Sequence, residues 1–292
     1  GARGATGTLL AASPISQAEG APMSHSYDYS NKRVVITGAY SGVGAALLDV
    51  LAELGATEVI ALDIKRPEGP ISEFIETNMG KESSVAAAID AIDGPIDVLF
   101  NNAGIAATHP VEDVMAVNWL GLRQLSEGLL PQIKDGGAIA NTASIAGGQW
   151  PGHLQEVLEC ISIESKEELF GWCRDHAELV GDGYAFSKEC VQVYTMKSAK
   201  DTLARNVRTN SVCPAPIDTP LLPDFNKTMT EKTMNWTIDQ IGGTIATPRD
   251  IAMTLAFLGS DASRYVNGVN LNVDMGFSAF MTTGEVDFSG LA

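Results

Sequence analysis

The sequence predicts a single-domain α/β fold built on a doubly wound parallel sheet. Three observations carry that prediction. Aliphatic and β-branched runs of strand length recur at residues 33–37, 58–63, 96–100 and 138–144. Helical apolar patterns separate them, at 45–51 and 114–125, and such alternation implies parallel strands joined by crossovers. The first strand runs directly into a turn carrying Gly38, Gly42 and Gly44, and a helix pattern follows at once.

Composition fits that class and narrows the function. The 292-residue chain is 45% hydrophobic, enough for the core of one large domain. A formal net charge of −17 argues against a nucleic-acid surface, which needs a basic stripe. No apolar run reaches the length of a membrane span. Cys160, Cys173, Cys190 and Cys213 show neither Cys-x-x-Cys spacing nor His clustering. No metal site or disulfide framework is therefore expected, and a reduced, cytoplasmic setting is the default. Residues 1–30 are rich in Gly, Ala, Ser and Pro and read as a flexible extension, with Met23 a plausible native start. Residues 31–280 are then expected to form the folded domain, and 281–292 a weakly patterned tail.

The elements can be justified in order. Strand, glycine turn and helix together make the phosphate-binding start of a Rossmann-type dinucleotide fold. Glycines let the backbone approach a pyrophosphate, whose charge sits at the helix N-terminus. The second strand ends in Asp63, about 20 residues on, where an acid accepts hydrogen bonds from ribose hydroxyls and repels a 2′-phosphate. That favours NAD over NADP, although Lys65 and Arg66 lie just beyond. The third run ends in Asn101-Asn102-Ala103-Gly104, a turn-forming cluster at a strand's carboxyl end, where ligands of open α/β sheets bind. Asn118 sits among apolar neighbours and needs hydrogen-bond partners. The strand at 138–144 delivers Ser144 at its end. Tyr184 and Lys188 lie four residues apart and, on a helix, share one face. A fixed ammonium beside the phenol is expected to lower the tyrosine pKa and make it a usable acid/base.

These residues, in this order, resemble the short-chain dehydrogenase/reductase family. The resemblance covers residues 32–280 and rests on Thr37-Gly38-x-x-x-Gly42-x-Gly44, Asn101-Asn102-Ala103-Gly104, Asn118, Ser144 and Tyr184-x-x-x-Lys188. It implies that Tyr184 exchanges the alcohol proton, that Lys188 holds the nicotinamide ribose, that Ser144 orients the substrate oxygen, and that Asn118 anchors a water in the proton relay. It implies NAD contacts at Gly38, Tyr40, Ser41, Gly42, Val43, Gly44, Asp63, Ile64, Asn78, Met79, Asn102, Ala103, Gly104, Tyr184, Lys188, Pro214, Ile217 and Thr219. Three positions depart from the family pattern: Ala215 and Met275 stand where glycines are usual, and Asn78 where an adenine-contacting Asp is common.

Ser144 and Tyr184 are far apart for this family, and the extra segment, about 149–182, carries helix signals of its own. Ser165-Lys166-Glu167-Glu168 fits a capping box. Trp150 and Trp172 require a surface to bury them. A substrate wall, a subunit interface and a self-contained pad are equally open, and Trp150 is a candidate substrate contact. The placement of the insertion resembles the bacterial 3α-hydroxysteroid dehydrogenase/carbonyl reductase and coniferyl alcohol dehydrogenase branches. Residues 219–241 offer Leu221, Leu222, Phe225, Met229, Met234 and Trp236 as a flexible apolar lid. With Ser144 and Tyr184 they would form a pocket for a bulky apolar secondary alcohol or its ketone. Aryl or allylic alcohols are the alternative. A non-catalytic NAD-binding sensor is a reading of another class, disfavoured by the presence of Ser144, Tyr184 and Lys188. A sugar-nucleotide epimerase is disfavoured by the glycine spacing. A homodimer or homotetramer is expected, with no nucleic-acid or membrane partner.

Overall fold

The computed structural model describes residues 26–291. Seven strands form one parallel sheet in the order β3-β2-β1-β4-β5-β6-β7. Chain order is β1 Arg33–Thr37, α1 Gly42–Glu53, β2 Glu58–Asp63, β3 Glu73–Glu76, α2 Glu82–Ala91 and β4 Ile96–Asn101. Next come α3 Val111–Met115, a π-helical turn Ala116–Gly121, α4 Leu122–Leu129 and β5 Ile133–Thr142. The insertion supplies α5 Leu154–Ser162, α6 Lys166–Asp175 and α7 Ala177–Val180, ahead of α8 Tyr184–Thr202 and β6 Arg208–Pro214. The chain closes with α9 Leu222–Thr228, α10 Glu231–Gln240, α11 Pro248–Gly259, β7 Asn270–Val273 and α12 Phe277–Thr283. No helix among the described residues is long and apolar enough to cross a membrane.

The strands read as near-continuous apolar runs because both sheet faces are covered. One core joins Val34, Ile36, Phe100 and Ala140 to Leu47 and Leu51 of α1 and to Ile251 and Leu255 of α11. The opposite face joins Val35, Leu62, Leu99 and Ile139 to Val85, Ala88 and Leu125. β3 is the strand that sequence patterning did not find. It has four residues, lies at the sheet edge and carries only Phe74 and Ile75 between two glutamates.

Residues 1–25 of the expected flexible extension lie outside the described residues. Its last part is fixed: Tyr29 is fully buried, and its hydroxyl donates to the Ala256 carbonyl of α11 at 2.7 Å. Met275, one of the departures from glycine, adopts a left-handed φ of 51°. Asp274 offsets that strain by accepting from the amides of Gly276 at 3.0 Å and Ser278 at 2.8 Å.

The insertion buries itself against its own chain. Val157, Cys160, Ile161, Leu169, Trp172 and Cys173 form one cluster with Phe186, Cys190, Val191 and Val193 of α8. Ser165 caps α6 by accepting from the Glu168 amide at 3.3 Å. The reciprocal half of the expected capping box is replaced by a bond from the Ser165 hydroxyl to Glu167 at 3.4 Å. Trp172 stacks on Phe186, with centroids 5.7 Å apart, so the insertion grips the helix inside its Tyr184–Lys188 segment.

Tyr29→Phe should lower stability by about 1 kcal/mol, since it strips a buried carbonyl of its donor while keeping the ring. Urea denaturation should show a lower midpoint at an unchanged slope; an unchanged midpoint would contradict the role given to this hydroxyl.

Candidate active site

The carboxyl ends of β1, β2, β4, β5 and β6 open onto one cavity of about 540 Å³. At its floor the glycine turn is forced by packing. A Cβ at Gly44 would lie 1.9 Å from the Gly38 carbonyl oxygen, and one at Gly38 would lie 2.7 Å from Ala103 Cα. Gly38 also has a φ of 69°, where side chains are strained. Ser41, at the N-cap of α1, makes no side-chain cap bond, so the first amides of that helix remain available to an anion.

Asn102 ties this turn to its neighbours. Its amide group donates to the Gly38 carbonyl at 3.1 Å and accepts from the Thr142 hydroxyl at 3.2 Å. Asp63 closes the far end of the cavity, accepting from the Tyr40 amide at 3.0 Å and the Lys65 amide at 3.2 Å. Lys65 Nζ lies 5.3 Å from the Tyr40 ring centre, and Arg66 lies over Phe74 at 5.8 Å. These features suit a dinucleotide: a close-approach glycine turn, an uncapped helix start and a carboxylate at the second strand's end.

Tyr184 begins α8, where Gly183 takes a φ of 87° to turn the chain into the helix. The rings of Tyr184 and Phe225 meet edge-on at 4.9 Å. Lys188 is buried, and its Nζ donates to the Thr142 carbonyl at 2.9 Å while lying 5.8 Å from the Tyr184 ring centre. Gly104 lies beside it, where a Cβ would make ordinary van der Waals contact with Lys188 Nζ at 3.5 Å.

Spacing predicts that Lys188 lowers the tyrosine pKa; the structure reverses the sign. Burial pushes the Tyr184 phenol up to about 12, against a smaller opposite pull from the Ser144 hydroxyl beside it. Burial likewise pulls the Lys188 ammonium down to about 8. Desolvation decides both shifts because both groups are buried, and the ammonium is turned onto Thr142.

Of the residues named from the sequence for catalysis, cofactor and substrate, the cavity brings together all but four. Gly44 acts on the turn from behind, as its contact with Gly38 shows. Asn118 sits in the π-helical turn with its side chain already engaged. It accepts from the Ile105 amide at 2.8 Å and donates to the Ile105 carbonyl at 3.0 Å and to Ser187 at 3.2 Å. It braces the loop after β4 against α8 and does not reach the cavity. Leu222 starts α9 outside the lining, whereas Leu221 is within it. Trp150, expected against substrate, turns away into the insertion's core, and its indole donates to Gln192 at 3.1 Å.

Sequence reasoning also missed how segment 219–241 is held. Trp236 lines the cavity, and its indole donates outward to the Asp287 carbonyl at 2.7 Å. Phe288 stacks on it at 5.5 Å, and the Asp287 amide donates to Gln240 at 2.9 Å. The tail thus straps α10. Backbone acceptors such as Asp287 carry no sequence signal.

Two family models match the chain: short chain dehydrogenase over residues 32–155, and enoyl-(acyl carrier protein) reductase over 174–278. Coniferyl-alcohol dehydrogenase of Pseudomonas sp. (strain HR199 / DSM 7063) is 32% identical over 86% of this chain and 98% of its own length. The chain belongs to the short-chain dehydrogenase/reductase family. The 3-alpha-hydroxysteroid dehydrogenase/carbonyl reductase of Comamonas testosteroni is 28% identical over 85% of this chain and 97% of its own. The crystal structure of the 3-alpha-hydroxysteroid dehydrogenase from Pseudomonas sp. B-0831, complexed with NADH, superposes with a TM-score of 0.73. That structure shares 30% identity and is covered to 98%, against 86% of this chain. As a short-chain dehydrogenase/reductase, the protein is an oxidoreductase of alcohols and ketones that binds a nicotinamide cofactor.

The buried lysine sets a pH dependence of the cofactor-free protein. Lys188 titrates near 8 when folded and near 10.5 when unfolded, so below pH 8 the cost of burying its charge is fully present. Between those values the unfolded chain binds the extra proton, and stability rises with pH. Lys188→Met should remove that rise. The stability difference between wild type and variant should shift by roughly 3 kcal/mol from pH 7 to 10.5 in favour of wild type. A difference that stays flat in denaturant titrations would refute the depressed pKa.

Proposed function

We propose that the protein is an NAD-dependent dehydrogenase that interconverts a bulky apolar secondary alcohol and its ketone, with Tyr184 as acid/base. The observation that carries this reading is the convergence of Tyr184, Lys188 and Ser144 beneath an apolar lid in one cavity. Bound nicotinamide would take up or deliver the hydride. Gly38, Ser41, Asp63, Asn102, Lys188 and Thr219 are the residues to hold the cofactor.

The chain's own residues supply the proton chemistry. Ser144 donates to the substrate oxygen and fixes it near the Tyr184 hydroxyl. In oxidation Tyr184 takes the alcohol proton; in reduction it returns one. Its raised pKa suits the reducing direction at neutral pH, since the phenol is then protonated. Oxidation should accelerate as pH rises. The lid excludes water through Leu221, Phe225, Met229, Met234 and Trp236, with Phe277 beside them. No Arg lines the cavity among the described residues, so a phosphate or carboxylate substrate has no fork to grip it. The Asp63 carboxylate facing the adenosine end supports NAD, because a 2′-phosphate there would meet a like charge.

Assembly follows from the packing of α8. Most of this helix is buried within the monomer, partly beneath the insertion. Little of it remains to pair with a second copy, so we expect a homodimer in preference to a tetramer. Light scattering should give twice the monomer mass; a tetramer or a monomer would oppose this account.

Tyr184→Phe should reduce kcat by orders of magnitude with NADH affinity near wild type. A variant that keeps more than about a tenth of the rate, a loss below ~1.4 kcal/mol, would remove Tyr184 from this role.

Substrate and cofactor are tested together as kcat/KM. NAD and NADP are each paired with a steroid or cyclic terpene alcohol, a cinnamyl-type alcohol and 2-propanol. The alicyclic alcohol with NAD should lead, since each buried methylene contributes roughly 0.8 kcal/mol. A cinnamyl-type alcohol in first place would support the aryl alternative. Leadership by 2-propanol, or equal use of NADP, would overturn the corresponding half of the proposal.

A further inference from the structure

We propose that Gln192 is a positioning residue for Ser144, and that Trp150 of the insertion fixes it in that task. The inference rests on the reading of Ser144 and Tyr184 given above.

Gln192 follows Lys188 by four residues and Tyr184 by eight, so all three share one face of α8. The residue is 5% exposed, and both ends of its amide are engaged. Nε2 donates to the Ser144 carbonyl at 2.8 Å, and Oε1 accepts from the Trp150 indole at 3.1 Å. An indole nitrogen only donates and a carbonyl oxygen only accepts, so one amide orientation alone satisfies both neighbours. Trp150 therefore selects the orientation that presents N–H to Ser144.

The bond acts on the residue that matters most for oxygen placement. Ser144 is extended, with φ −170° and ψ 155°, and the chain turns sharply after it. Its carbonyl also accepts from the Gly147 amide at 3.1 Å, and its hydroxyl accepts from Ala146 at 3.1 Å. Gln192 holds the same peptide from the helix side, which limits rotation of Ser144 and hence travel of its hydroxyl. Displacements of about 1 Å in such groups cost on the order of a hundredfold in rate.

Docking of the insertion does not depend on this contact. His153 pairs with Glu189 on the same helix, and the apolar cluster around Trp172 and Phe186 adds a third attachment. The Trp150–Gln192 bond is thus separable from the attachment of the insertion.

The test compares wild type with Ser144→Ala, Gln192→Met, Trp150→Phe, the Gln192→Met/Trp150→Phe double variant and His153→Ala. For each, kcat and KM for the best alcohol, the NADH dissociation constant by fluorescence and the thermal midpoint are measured. Gln192→Met should lose about tenfold or more in kcat, with NADH affinity and alcohol KM within about twofold. Trp150→Phe should lose severalfold in the same pattern, and the double variant should be no slower than Gln192→Met, because the two act through one chain. His153→Ala should lower the thermal midpoint with little change in kcat.

A Gln192→Met enzyme with wild-type kcat would overturn the inference, as would a double variant whose loss is the product of the singles. Should Gln192→Met fail to fold, Trp150→Phe decides alone, and an unchanged kcat there defeats the proposal. Ser144→Ala separates the two levels. If it turns over like wild type, the reading of the site itself fails; if it is slow while Gln192→Met is normal, only the positioning role fails.

Discussion

The site depends on one close approach of backbone to backbone. Gly147 lies so near α8 that a Cβ there would sit 2.6 Å from the Lys188 carbonyl carbon and 2.8 Å from the Glu189 nitrogen. Only a residue without a side chain lets the turn after β5 rest on the helix at that level. Ser144 comes from that turn, and Tyr184 and Lys188 come from that helix. Their mutual distances are therefore set by main-chain contact, which is stiffer than any pair of side chains. Asn118 adds a second brace on the other flank, linking the loop after β4 through Ser187 to the Tyr184 carbonyl, which accepts from the Ser187 hydroxyl at 2.7 Å.

Rigid placement makes an unfavourable environment tolerable. A lysine and a tyrosine buried together both favour their neutral forms, as the opposed shifts of Lys188 and Tyr184 show. Their burial is a local cost, and it persists because the surrounding contacts over-determine it. The compensating packing lies nearby: Phe186, Cys190 and Val191 alternate along α8 with the site residues and anchor it in the insertion's core. The same helix thus carries the strained groups on one face and much of the packing that holds them on another.

Much of this was legible in the sequence, for identifiable reasons. The strands of a parallel sheet must be apolar on both faces, so β1, β2, β4 and β5 announce themselves; the short edge strand β3 does not. Glycines at 38, 42 and 44, Asp63 and the Tyr184–Lys188 pair are readable because the backbone or the chemistry admits few residue types there. Trp150 was misplaced because an aromatic residue next to a site gives no hint of which way it faces, and its partner Gln192 is a common residue on a helix. The shifts of Tyr184 and Lys188 were misjudged because spacing reports proximity, whereas the pKa values follow burial, which is a property of the folded whole. Lid residues were identified by composition, but Leu222 was included because α9 turns it aside by a rotation that composition does not encode. The straps on the lid escaped because Trp236 is held by a backbone carbonyl and a ring far along the chain.

The two matched family models leave residues 156–173 and everything after 278 unmatched. The first lies within the insertion, and the second is the tail. The insertion stands behind Ser144, through Trp150 and Gln192 and through the ring stack on Phe186. The tail stands behind the lid, through Asp287 and Phe288 on Trp236. Neither contributes a side chain to the cavity lining, yet each is linked to a residue that does: the insertion to Ser144 through Gln192, and the tail to Trp236. Specificity in an apolar pocket comes from shape and has few polar bonds to enforce it. A wall that yields admits many shapes, and a braced wall selects among them. On the proposed reading, the insertion and the tail of this protein would act on that selection from outside the cavity, through residues that no substrate touches.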